Sequence, residues 1–83
     1  MYYVYVLKSS RNGRLYIGRT NDLKQRYKQH GAGKVWTTKR MLPVKLIFYE
    51  AYTNKNDAIR RERYLKTNKG KGTIKMMLRD SLK

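Results

Sequence analysis

The sequence predicts a single small domain that mixes strands and helices. Three observations lead there. The 83 residues are too few for two domains. Asn12-Gly13, a strong hairpin-turn signal, lies between two runs rich in Tyr, Val and Ile. Segments with helical spacing and helix caps flank an apolar run near residues 44–52.

The hairpin comes first. Tyr2 to Lys8 and Arg14 to Thr20 suit two strands. A two-residue turn pairs Ser9 with Tyr16, Leu7 with Gly18 and Tyr5 with Thr20. Paired residues share a face and faces alternate. Val4, Val6, Leu15 and Ile17 then form an aliphatic face, while Tyr3, Tyr5, Leu7, Tyr16 and Gly18 form a phenolic one.

A helix should follow, capped by Thr20 or Asn21, with Asp22 at the positive end of its dipole. At about 100° per residue, Leu23 and Tyr27 lie about 40° apart, and His30 lies about 20° from Leu23. Arg26 and His30 are four residues apart and therefore neighbours. Taken alone, Arg26 reads as a solvated cation snorkelling from the buried stripe. His30 reads as a cation favoured by the helix C-terminus. Gly31 and Gly33 end the helix.

Residues 31–43 form a loop in which Trp36 sits among Lys34, Lys39 and Arg40. Trp36 either stacks on a base while the cations hold phosphate, or folds back to cap the core. Val44 to Tyr52 is a third strand, and its unbroken apolar centre, Leu46 to Tyr49, predicts a central position.

The second helix has Asn54 as its cap and Asp57 in its first turn. With Ala58 at 0°, Leu65 falls near 340° and Glu62 near 40°. Glu62 therefore points into the apolar stripe, which is costly unless a cation or donor meets it. It is either an i, i+4 partner of Lys66 or a metal ligand beside the phenolic face. The tail predicts a flexible basic hinge at Gly70 to Thr73. It then predicts a short helix to Leu82 with Ile74, Met77 and Leu78 on one side.

Composition narrows the function. Twenty-one Lys and Arg against five acids give +16, which calls for a polyanionic partner, nucleic acid before an anionic membrane. No cysteine is present, so disulfides and Cys-zinc sites are excluded. Any metal rests on five carboxylates and one histidine. No apolar run is long enough for a signal or membrane span, so the expected location is the cytoplasm.

Tyr3-Val4-Tyr5 followed by Tyr16-Ile17-Gly18 resembles the paired motif of the GIY-YIG nucleases, with Tyr3 and Val4 replacing Gly and Ile. The segment from Asp22 through Arg26 to His30 is similar to that family's first helix. Ala58 to Glu62 is similar to the helix presenting its metal-binding glutamate. The resemblance spans about residues 1–70, leaving 71–83 as a basic C-terminal helix of the same domain. The closest likeness is to small stand-alone members related to the nuclease module of the bacterial excision-repair enzyme.

That resemblance implies a mixed α/β fold with a three-stranded antiparallel sheet flanked by helices. It implies hydrolysis of phosphodiester bonds in DNA, in repair or processing, with one Mg²⁺ or Mn²⁺. Glu62 would hold the metal, Arg26 would stabilise phosphate charge, and Tyr5 and Tyr16 would position or deprotonate water. His30 would assist as hydrogen-bond donor or acid. Arg19 could touch phosphate, and Gly18 would let the chain approach substrate. The family's late asparagine has Asn68 as its sole candidate, too close to Glu62 in sequence.

The residue types suit that chemistry. One hard metal on a carboxylate plus one guanidinium places two positive charges at the phosphate. A phenol of pKa about 10 is a poor base until nearby cations lower it, and the local excess of Arg and Lys predicts that lowering. The alternative is a basic nucleic-acid-binding protein without catalysis, whose binding is salt-sensitive and metal-independent. Single-stranded, branched and nicked DNA remain open as substrates, as does RNA. The oligomeric state is not specified by the sequence.

Overall fold

The computed structural model describes residues 1–83. Its strands are β1 (Tyr2–Ser9), β2 (Leu15–Thr20) and β3 (Val44–Tyr52). Its helices are α1 (Leu23–Gly31), α2 (Lys55–Leu65) and α3 (Asn68–Met77), with a 3₁₀ turn at Lys39–Met41. The sheet is antiparallel throughout, in the order β2-β1-β3. The expected mixed fold and three-stranded antiparallel sheet are therefore present.

β1, not β3, is the central strand. Val4 to Leu7 are at most 1 % exposed, because partners flank β1 on both edges and helices cover both its faces. The apolar run of β3 has a different cause. The β1–β3 register slips between Val6 and Leu7, so Phe48 pairs with Val6 but Leu46 with Leu7. Ile47 is the extra residue of a bulge, which interrupts the strict alternation of faces. Tyr49 on this edge strand stays 55 % exposed.

The hairpin register also differs from expectation, by two residues. Tyr5 faces Gly18 and Leu7 faces Tyr16. Ser9 is responsible: its amide donates to the Arg14 carbonyl, while its Oγ accepts from the Arg11 and Asn12 amides. That local bonding widens the turn to Ser10–Gly13, with Gly13 in the left-handed region (φ 75°). A shift of two residues preserves side-chain parity, so the aliphatic and phenolic faces survive.

On the aliphatic face, Val4, Val6 and Ile17 pack with Ala58 and Leu65 of α2 and with Ile74 and Leu78 of the C-terminal segment. Asp22 caps α1 through the Gln25 amide, and Asn54 caps α2. The predicted hinge at Gly70 to Thr73 is instead helical, because Thr67 caps α3 by accepting from the Gly70 amide. Ile74 and Leu78 are buried as expected, whereas Met77 is exposed. No helix is long and apolar enough to cross a membrane.

Gly70 and Gly72 have opposite surroundings. A Cβ on Gly70 would overlap the Tyr64 carbonyl and lie 2.6 Å from Leu65 Cα, whereas one on Gly72 would meet nothing within 4 Å. Gly70→Ala should destabilise by about 1–3 kcal/mol. Gly72→Ala should stabilise by up to about 1 kcal/mol through helix propensity. Thermal unfolding followed by circular dichroism should show midpoints moving in opposite directions. Equal shifts would contradict this packing.

Candidate active site

Two strands and one helix build the centre. Tyr5 and Tyr16 rise from the phenolic face of the sheet, and α1 brings His30 to them. The ring centroids lie 5.6 Å apart for Tyr5 and His30, 5.2 Å for Tyr16 and His30, and 6.3 Å for the two tyrosines. Gly18 makes this cluster possible. It is buried, and a side chain there would overlap the Tyr5 hydroxyl and approach Tyr16 Cε2 to 2.9 Å. The expected close approach of substrate to Gly18 is thus corrected: the space above it belongs to Tyr5.

His30 is fully buried and bonded through both ring nitrogens. Nε2 lies 2.7 Å from the Tyr5 hydroxyl and Nδ1 lies 2.7 Å from Thr38 Oγ1. Thr38 donates its own proton to the Val35 carbonyl. Nδ1 must therefore donate to Thr38, and the neutral ring then accepts from Tyr5 through Nε2. The proton order runs from Tyr5 to His30 to Thr38 to Val35.

Burial decides both titrations. It lowers the His30 pKa to about 4, with the Arg26 charge acting in the same direction. The imidazole is neutral at pH 7, so the expected preference of the helix C-terminus for a cation is overridden. Burial likewise raises the Tyr5 pKa to about 12. The Arg26 guanidinium opposes that rise, while the charges of Tyr16 and Glu62 add to it. The expected lowering by cations is therefore reversed: desolvation of a buried phenolate outweighs one nearby guanidinium.

Glu62 reaches the centre from the other side of the sheet. Its side chain is 17 % exposed, with Oε1 3.1 Å from Arg19 Nε and Oε2 3.1 Å from Lys66 Nζ. Arg19 directly follows Gly18, the residue beneath the Tyr5 hydroxyl. The Lys66 pair foreseen from spacing exists, and Arg19 supplies the second cation. Arg26 is half-buried and donates to Gln29 Oε1 at 3.2 Å.

Lys34, Trp36, Lys39 and Arg40 lie outside this cluster on the loop after α1. Trp36 is 79 % exposed, so it does not cap the core. Trp36, Thr37, Lys39 and Arg40 line an open cleft of about 250 Å³. Thr38 tethers this loop to His30, a role that the sequence did not signal, because no side-chain periodicity can be followed through an irregular loop. Asn68 opens α3 in an exposed position.

No group of three or more His, Cys, Asp or Glu side chains is placed to hold a metal. Glu62 is a single carboxylate ligand. That donor set suits a hard divalent ion that keeps several waters and takes phosphate oxygens, as Mg²⁺ does. It does not suit zinc, which requires three or four side-chain ligands.

Paired tyrosines on an antiparallel sheet, a helix arginine and histidine, and one helix glutamate define a hydrolase-type centre for an anionic substrate. Residues 1–75 match the GIY-YIG catalytic domain, and the chain belongs to the GIY-YIG nuclease family. Within it, the chain is similar to the UPF0213 proteins. It is 45 % identical over 65 residues to UPF0213 protein SAG0778 of Streptococcus agalactiae, covering 77 % of this chain and 73 % of that one. It is 38 % identical over 77 residues to UPF0213 protein SH2523 of Staphylococcus haemolyticus, covering 92 % and 93 %. The solution structure of UPF0213 protein BH0048 from Bacillus halodurans superposes with a TM-score of 0.58 at 31 % identity, covering 93 % of this chain and 85 % of that one.

The His30 environment makes stability depend on pH. Its folded pKa, about 4, lies below the ordinary 6.5, so the unfolded chain binds the proton more readily between those values. Stability is full above pH 6.5 and is lost as pH falls towards 4, by about 1–3 kcal/mol. Urea unfolding across this range should show that loss in the wild type and a flatter profile in His30→Gln. Identical profiles would assign the effect elsewhere.

Proposed function

We propose that the protein is a divalent-metal-dependent endonuclease that hydrolyses phosphodiester bonds in DNA in the cytoplasm, in repair or processing. The observation that carries this is the hydrogen bond from the buried Tyr5 hydroxyl to the neutral His30 Nε2. It gives the phenol an acceptor for its own proton. Tyr5 thereby takes a proton from the attacking water without first becoming a free phenolate, which its raised pKa disfavours.

The step is a relay. A water oxygen attacks phosphorus while its proton passes to the Tyr5 oxygen. The Tyr5 proton passes to His30 Nε2, and the phosphorus–oxygen bond to the leaving strand breaks. Thr38 orients the imidazole through Nδ1. Arg26 donates hydrogen bonds to the phosphate as its charge grows. Tyr16 walls the site beside both rings. Mg²⁺ or Mn²⁺, held by Glu62, supplies positive charge at the phosphate oxygens when bound.

Arg19 holds Glu62 and is close enough to the centre to exchange that partner for a phosphate oxygen. Lys34, Trp36, Lys39 and Arg40 provide a flanking surface, with the exposed indole for stacking and the cations for phosphates. The net charge of +16 supports strong, salt-sensitive binding to DNA.

A reading without catalysis draws on the two cations that already occupy both Glu62 oxygens. One experiment separates the two. End-labelled single-stranded and duplex DNA are incubated with Mg²⁺, Mn²⁺ or EDTA. Cleavage should require metal, and Glu62→Ala and Arg26→Ala should each lower it by at least about 100-fold while binding changes only a few-fold. Metal-independent binding with no cleavage of either substrate would favour the non-catalytic reading.

A further inference from the structure

We infer that the cleft between Tyr3, the exposed edge of β3 and the start of α1 is a subsite for one unpaired nucleobase beside the reacting phosphate. The cleft measures about 390 Å³ and is walled by Tyr3, Leu23, Tyr27, Leu46 and Tyr49. That volume falls at the lower end of the range in which small ligands are held. The inference takes its position from the proposed phosphate site at Arg26, and so rests on the nuclease reading.

The lining selects a base rather than a phosphate. Tyr49 is 55 % exposed and meets Tyr3 in an edge-type contact at 6.1 Å and 63°, which leaves the Tyr49 ring open to stack. The Tyr27 hydroxyl is directed to the Val44 carbonyl at 3.4 Å, so its ring, not its polar tip, is offered to the cleft. Asn21 and Asp22 form the polar rim, together with Lys24. A carboxylate repels phosphate but accepts hydrogen bonds from the amino group of a base. The Trp36 cleft differs, because its charged lining is only Lys39 and Arg40.

Position ties the cleft to the active site. Tyr3 is the next residue along β1 on the same face as Tyr5, about 7 Å away. Tyr49 stands directly opposite Tyr5 in the β1–β3 register. Arg26 follows Leu23 by one helical turn. A base in the cleft therefore belongs to a nucleotide neighbouring the phosphate held by Arg26. Paired bases in a duplex are not free to enter, since extruding one costs a few kcal/mol in unpairing and unstacking. The residue that departs from the first family motif, Tyr3, is one wall of the cleft.

The test measures binding in EDTA, where the oligonucleotide stays intact. A single-stranded oligonucleotide carrying 2-aminopurine and the same sequence as a duplex are titrated with wild type, Tyr49→Ala and Tyr49→Phe. Tyr49→Ala should weaken single-strand binding roughly ten- to hundredfold and leave duplex binding within about twofold. Tyr49→Phe should retain wild-type affinity. Equal losses on both substrates, or no loss on the single strand, would overturn the subsite. So would a wild-type dimer, by analytical ultracentrifugation, that Tyr49→Ala dissolves, since a second copy would then cover the cleft. Absence of cleavage in the metal assay would refute the nuclease reading instead, and leave a selective binding result standing.

Discussion

The hydrogen bond between Tyr5 and His30 is the contact on which the site depends. It joins the central strand to α1, and through Thr38 it joins both to the Trp36 loop. All three side chains are at most 1 % exposed, so an unmatched donor or acceptor would cost about 1–3 kcal/mol. The chain of donors leaves no such group, and no buried side-chain nitrogen or oxygen lacks a partner. Gly18 is the steric condition for this arrangement, since any side chain there would displace the phenol.

The same sheet keeps incompatible environments apart. One face packs aliphatic side chains against α2 and α3, which holds the small domain together. The other buries a phenol and an imidazole, both uncharged near neutral pH. Glu62 belongs to α2, on the aliphatic side, where burying a carboxylate is costly without cations. Arg19 and Lys66 meet that need at 3.1 Å each. Any divalent ion that binds Glu62 therefore competes with two cations already in place. A phosphate oxygen, which offers those cations another partner, changes the terms of that competition.

Much of the fold is legible in the sequence because period-two patterning is robust to local error. The hairpin register differs from the two-residue-turn expectation by two positions, yet Tyr5, Tyr16 and Gly18 still share a face, since only an odd shift reverses it. The position of β3 is not legible, because a bulge at Ile47 imitates the apolar run of a central strand. The start of α3 is hidden for a similar reason. Gly70 and Gly72 suggest a hinge, but Gly70 is there to let two helix backbones meet. The proximity of Arg26 and His30 follows from helical spacing. That of Thr38 does not, because an irregular loop gives no rule for which hydroxyl points inward. The direction of the Tyr5 shift is also beyond composition: a surplus of cations says nothing about how far one phenol is removed from water.

This last point constrains how the centre works. A buried tyrosine with a pKa near 12 is protonated almost completely at pH 7, so a mechanism starting from free phenolate would lose about five powers of ten in active species. A relay avoids that loss, because the phenol surrenders its proton to His30 only as it gains one from water. His30 is suited to receive it because Thr38 holds the Nδ1 proton and leaves Nε2 as the acceptor. The low basicity of His30 limits the resting transfer. As the phosphate gains negative charge in the transition state, a nearby imidazolium is stabilised. The relay is therefore driven by the same developing charge that Arg26 is placed to meet.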